Sequence, residues 1–143
     1  MFVKQVSIFV ENKKGTIADT ILLLGENGIN IRALSVADTS DYGILRLIVS
    51  EPEKAQEILK KNNYTVKLTD VIAFAVSDKP GGLGEALKAL HDNDIEIAYV
   101  YSFVGHYKDN AVGIISTPKL DEAVNVLHDN GILIIASEQV YKS

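Results

Sequence analysis

Two short loops hold the residue types best suited to chemistry in this chain. ENKKGT at 11–16 and SDKPGG at 77–82 each follow an apolar strand-like run, and each delivers a glycine, Gly15 or Gly81, to the start of a helical pattern. There the first backbone N–H groups have no intrahelical partner and the positive end of the helix dipole points outward, which makes a receptor for an anion or a carboxylate. A free amino acid would also need an acceptor for its ammonium group. Asn30, opening the second strand, is read as standing at the same end of the sheet as this loop, and Asn12, Asp78 and Glu96 are further polar candidates. Each residue also has a plainer reading: Asn12 and Asp78 as turn formers, the glycines as relief of backbone geometry, Lys14 as a solvated cation. Arg46 interrupts the apolar run ILRLIV, where it could grip a carboxylate, although an exposed sheet edge is the favoured expectation. Tyr99, expected near the loop end of its strand, is the tyrosine to test as a ligand contact; the others are read as packing.

Catalytic patterns do not emerge. KPGGLGE at 79–85 lacks the lysine and hydroxyl residue that end a P-loop, and Leu87 stands where GxGxxG needs its last glycine. His91 and His128 each fall in the tetrapeptide LHDN at a helix end, where the dipole favours a histidine, and His106 sits in GHYKDN, read as an exposed loop. With no cysteine there are no disulfides, thiolate metal sites or thiol nucleophiles. The expectation is a protein without catalytic activity, metal or cofactor.

Composition narrows the partners. The net charge of -5 is divided unevenly, with nine basic and eight acidic groups in residues 1–69 against five and eleven in 70–143. Phosphate neutralisation supplies most nucleic-acid affinity, so an acidic chain with two arginines, Arg32 and Arg46, is not expected to bind it. The opening MFVKQVSIFVEN alternates apolar and polar residues, unlike a signal peptide, and no run approaches the ~18 apolar residues of a membrane span. A cytoplasmic protein is the expectation.

An internal repeat organises the rest. VSIFVENKKG, ending at Gly15, returns as IAFAVSDKPG, ending at Gly81, an offset of 66. Ile17, Ile21 and Leu24 fall on Leu83, Leu87 and Leu90, and GENGINI at 25–31 falls on HDNDIEI at 91–97. Past Ala37 the second copy gains two residues, and the offset becomes 68. Apolar spacing gives each copy the order strand, helix, strand, strand, helix, strand. Gly28 is placed to end the first helix in the left-handed conformation, and a second helix begins near Glu53 behind Pro52. In the second copy strands are expected near 71–77, 95–104, 110–116 and 133–139, and helices near 82–92 and 120–129. The fold class is therefore α+β: two tandem ferredoxin-like βαββαβ units, 1–69 and 70–143, with antiparallel sheets and helices on one face. Tyr99, Tyr101 and Phe103 make the second sheet's other face apolar, and the other copy or a second chain is expected to cover it.

The glycine-bearing loop into a helix, followed by NGINI, with this element order, resembles the ACT domain, a regulatory module that binds amino acids. DKPGGL and NDIEI look like the same pattern in the second copy, so the resemblance covers the chain twice, and it is closest to stand-alone tandem ACT proteins with no attached enzyme. In that family the ligand sits where two domains lie side by side, held by the first loop and helix start of one and the second strand of the other. Carried over by position, the resemblance implies Asn12, Lys14, Gly15, Thr16 and Ile17 in one copy, Asp78, Gly81, Gly82 and Leu83 in the other, and Asn30 on the strand. Lys14 replaces the proline that Pro80 keeps, and Glu96 replaces the usual Asn or Asp, so the two sites are expected to differ in affinity. The leading expectation is an amino-acid sensor, a homodimer or higher homo-oligomer, whose occupancy changes its association with itself or with a regulated protein partner. The alternative is a protein interaction module with no small-molecule ligand.

Overall fold

The computed structural model describes residues 2–11, 13–38 and 41–142, with the backbone alone at Asp38, Val104 and Gly105. Lys4–Thr69 form one compact unit; the other is built on Asp70–Tyr141 and takes in Phe2 and Val3.

The first unit runs β1 (Val3–Glu11), α1 (Thr16–Glu26), β2 (Ile31–Asp38), β3 (Tyr42–Val49), α2 (Pro52–Lys61) and the opening of β4 (Thr65–Ser77). β3 lies antiparallel between β1 and β2, with Ser7 and Ser35 both opposite Arg46, and β1 also pairs with β4. The strand order is thus β4–β1–β3–β2. Alternation along the strands sends Val6, Ile8, Val10, Leu45, Leu47 and Val49 to one face, where Leu24 of α1 and Ala55 and Leu59 of α2 complete the core. All nine are buried, and together they hold the helices on that face. Pro52 starts α2 at the position where its missing N–H costs nothing. Gly28 takes φ 74° after α1, while Leu24 accepts the N–H of Ile29 at 3.0 Å. At the matching place after α3, Asp94 takes φ 58°.

The second unit continues β4 into α3 (Gly82–Asp92), β5 (Tyr99–Tyr107), β6 (Asn110–Ser116), α4 (Leu120–Asp129), β7 (Leu133–Ile134) and α5 (Ser137–Lys142). Its order is β7–β4–β6–β5, all neighbours antiparallel. Ile72, Phe74 and Ile115 meet Ala86, Leu90, Ala123 and Leu127 in its core. Phe74 faces Gly113 across the ladder, where the first unit has Ile8 facing Leu45.

Two expectations need correction. The strand expected over 133–139 ends at Ile134: Ile135 donates a last bond to the Ala73 carbonyl, and the Ala136 carbonyl then accepts from Gln139 and Val140 and turns the chain into α5. Ile135 and Val140 stand five residues apart, a spacing that no alternating strand keeps on one face, and both are buried, Val140 within α5. Val140 of α5 and Ile135 border a small cleft with Phe103, Tyr107 and Val112 of the same unit. Finally, Arg46 is not on a sheet edge. It sits half-buried on β3, which is flanked on both sides.

Candidate functional site

α1 and α3 begin in the same way. Gly15 (φ 89°, ψ -12°) and Gly81 (φ 85°, ψ -9°) cap them in the left-handed region, and neither helix has a side-chain cap. The Thr16 N–H reaches the Lys13 carbonyl at 3.3 Å and the Asp19 N–H the Gly15 carbonyl at 2.9 Å; Gly82 and Glu85 repeat this with Lys79 and Gly81 at 3.1 and 3.0 Å. Among the described residues the N–H groups of Ile17 and Ala18, and of Leu83 and Gly84, meet no acceptor. They lie at the positive ends of two helix dipoles, so each helix start presents two donors to a negative group. Because L side chains pay to enter this region, Gly15→Ala and Gly81→Ala should each cost about 1 kcal/mol in chemical denaturation.

A concavity lies beside each of these starts. In the first unit it is about 360 Å³ and is lined by Phe9, Glu11, Thr16, Tyr42, Asn63 and Tyr64 among others. In the second it is about 280 Å³, with Ser77, Gly82, Glu85, Asn110, Asn130 and Gly131 in its wall. The two occupy corresponding places, between the end of a first strand, a helix start and the turn that follows the second helix. Their linings differ. The first has aromatic walls, and the Thr20 hydroxyl, bonded to the Thr16 carbonyl at 2.8 Å, also meets the Tyr64 hydroxyl at 3.2 Å. The second is walled chiefly by small and amide residues. A third, smaller concavity of about 130 Å³ joins Leu83 to Val76, Val100, Tyr101 and Gly113.

Electrostatics differ as well. The Lys13 amine lies 2.7 Å from Glu11. Its hydrogen bond and charge hold the Glu11 carboxyl below the usual carboxylate range, and Glu11 in turn raises Lys13. Ser77 replaces Glu11 in the second unit, so Lys79 has no such neighbour at that position. There the carboxylate is Asp78, 2.9 Å from the His106 imidazole.

Gly15, Thr16 and Ile17 thus gather at one helix start, and Asp78, Gly81, Gly82 and Leu83 at the other. Lys14 is exposed beside Gly15. Asn12 lies outside the described residues. Asn30 does not stand at the loop end of its sheet as expected. Tyr42 opens β3 opposite Glu11, whereas Val49 closes it opposite Ile31, so Asn30 sits roughly 20 Å along the strand from the loop of its own unit. Its N–H bonds Ser50 Oγ at 3.0 Å. Tyr99 is displaced for the same reason: it pairs with Ser116, while the loop follows the Ser77–Asn110 pair, and it stacks on Tyr101 at 6.4 Å. Glu96 shares that far end, its carbonyl accepting from Thr117 Oγ1. The turns at Asn63–Tyr64 and Asn130–Gly131 were not singled out from the sequence, although counting strand directions through the element order places them at the loop end.

The model of the ACT domain pair matches residues 1–142. This chain belongs to the ACT domain family. A crystal structure of a protein from Bacteroides thetaiotaomicron is similar to this ACT pair, with 36% identity, a TM-score of 0.92, and coverage of 100% of this chain and 98% of that one. The ligand-free regulatory subunit of aspartate kinase from Thermus thermophilus aligns with TM-score 0.62 at 14% identity, covering 88% of this chain and 90% of that one. An aspartate kinase from Clostridium acetobutylicum aligns with TM-score 0.51 at 16% identity over 90% of this chain and 33% of its own. The last two share the fold of this ACT pair. No curated protein matches it. ACT pairs are regulatory modules, and among the described residues there is neither a metal-holding cluster nor a helix long and apolar enough to cross a membrane.

Proposed function

We propose that this ACT pair, two tandem ferredoxin-like units, is a non-catalytic cytoplasmic sensor of a free amino acid, bound by its carboxylate at the starts of α1 and α3. The observation that carries the reading is the pair of glycine-capped helix starts, each with two N–H donors unengaged among the described residues and a concavity at its side. Asp78 supplies a carboxylate for the ammonium group in the second unit, and the matching position in the first is Asn12. Occupancy that favours one state of self-association, or of association with a regulated protein, shifts that equilibrium by its differential affinity.

Thermal denaturation against each of the twenty amino acids tests this. A ligand at one hundred times its Kd adds about 2.7 kcal/mol, or roughly 8 °C in a chain of this size. Calorimetry with that ligand should show two unequal sites, because Thr16, Lys14 and Glu11 stand where the second unit has Gly82, Pro80 and Ser77. The exposed Phe9, Leu34, Val36 and Tyr42 favour a second reading, a protein-docking module. No response to any amino acid at millimolar concentration would decide for it.

A further inference from the structure

The two extra residues of the second copy have a defined place. β5 and β6 pair in step from Tyr99–Ser116 to Ser102–Gly113, then resume at His106–Ala111, so four steps along β5 oppose two along β6. The matching stretch of the first unit pairs without interruption from Val36–Leu45 to Asp38–Gly43. A bulge bends its strand and re-aims the side chains beyond it. Here the residue beyond it is His106, whose Nε2 lies 2.9 Å from Asp78 Oδ2 across 28 residues of chain. The contact ties the tip of the β5–β6 hairpin to the loop that precedes α3.

From this bulge and contact we infer that His106 is a proton-controlled latch on the second unit's ligand loop. The inference rests on the reading of that loop as an amino-acid site only for what the latch regulates. An imidazole gains its charge as pH falls through the range 5 to 8, while a carboxylate stays ionised there. Protonated His106 therefore makes a charge-assisted bond to Asp78, and neutral His106 makes a weaker one. The group it holds is the acceptor proposed for the ligand's ammonium, so latch and ligand compete for Asp78, and the latch competes best when His106 carries its charge. Other charges near the pair are Lys79, next to Asp78 in the loop, and Lys108 and Asp109 in the hairpin turn; the Lys108 amine lies over the Tyr107 ring at 5.4 Å. The corresponding positions of the first unit are Asp38 and Asn12, so this control belongs to one copy.

Loop opening is visible without a ligand, because the Lys79 and Gly82 N–H groups are held inside it by Ser77 and Lys79 carbonyls at 2.9 and 3.1 Å. Amide exchange by NMR, expressed as protection factors, is measured at pH 5.5 and 8.0 for the wild type, His106→Ala and His106→Gln. Wild-type protection of Lys79 and Gly82 should be about threefold higher at pH 5.5 than at pH 8.0, the scale of an exposed ion pair. His106→Ala should lose that difference, and His106→Gln, which keeps a donor without a titrating charge, should show protection independent of pH. Wild-type protection that does not change with pH, or His106→Ala behaving as the wild type, overturns the latch. The amino-acid screen fails separately: a pH-dependent loop in a protein that responds to none of the twenty keeps the latch and removes the ligand reading, and the reverse pattern does the opposite.

Discussion

Gly82→Ala should melt about 8 °C below the wild type, while Gly84→Ala, two residues along the same helix, should melt above it. The difference lies in what a Cβ would meet. At Gly82 it would stand 2.1 Å from the Ser77 carbonyl oxygen, a backbone atom at the end of β4, whereas at Gly84 it meets nothing within 4 Å. The loop before α3 must therefore move to admit even one methyl group, a clash of the kind that costs about 2 kcal/mol, and about 4 °C is lost for each. Gly84→Ala has no such contact and gains helix propensity, about 0.8 kcal/mol. Since Thr16 fills the place of Gly82 in the first unit, that loop has room its counterpart lacks. Differential scanning calorimetry on the two variants checks the claim, and Gly82→Ala melting as the wild type would remove the close approach on which it stands.

The second large effect concerns the paired difference between the cores. Phe74 covers Gly113 so closely that a Cβ there would lie 2.5 Å from the ring, while the same ladder position of the first unit holds Ile8 against Leu45. Each pair is a different division of one space. Phe74→Ile alone leaves a void and should cost about 2 kcal/mol, and Gly113→Leu alone overfills the site and should cost about 3 kcal/mol. The double variant restores the first unit's pair and should cost about 2 kcal/mol, well short of the sum, because the two side chains share one volume. Urea denaturation of the three proteins gives the coupling. A double variant as unstable as the two singles added together would mean that the ring and the glycine are independent.

The order of elements was open to reading from the sequence because apolar spacing and the repeat at 66 agreed with each other, and the structure keeps that order through α4. Gly15 and Gly81 were identifiable for a local reason, a glycine between an alternating run and a helical one, and their left-handed torsions follow from the same local chemistry. Three things were decided by tertiary structure. Asn30 and Tyr99 were assigned to the wrong end of their sheets, since the first and second strands of such a unit run parallel with a third between them, so the second strand starts far from the first loop. The stretch 133–139 is apolar enough at its start to read as one strand, but only Leu133 and Ile134 pair in the sheet, and Ser137 and Val140 are buried by the short helix instead. The two-residue insertion was visible as a change of offset, but nothing in the letters said that it would form a bulge and turn His106 toward Asp78.

The contact between Thr20 and Tyr64 gives the protein a built-in optical label. The chain has six tyrosines and no tryptophan, so phenol emission is not masked by indole. Tyr42 and Tyr64 border the concavity beside α1, whereas the one beside α3 is lined by no tyrosine. A molecule settling next to Tyr64 would alter the light from that ring without any dye attached, while one settling beside α3 would leave that emission unchanged, so the two copies can be told apart in a cuvette.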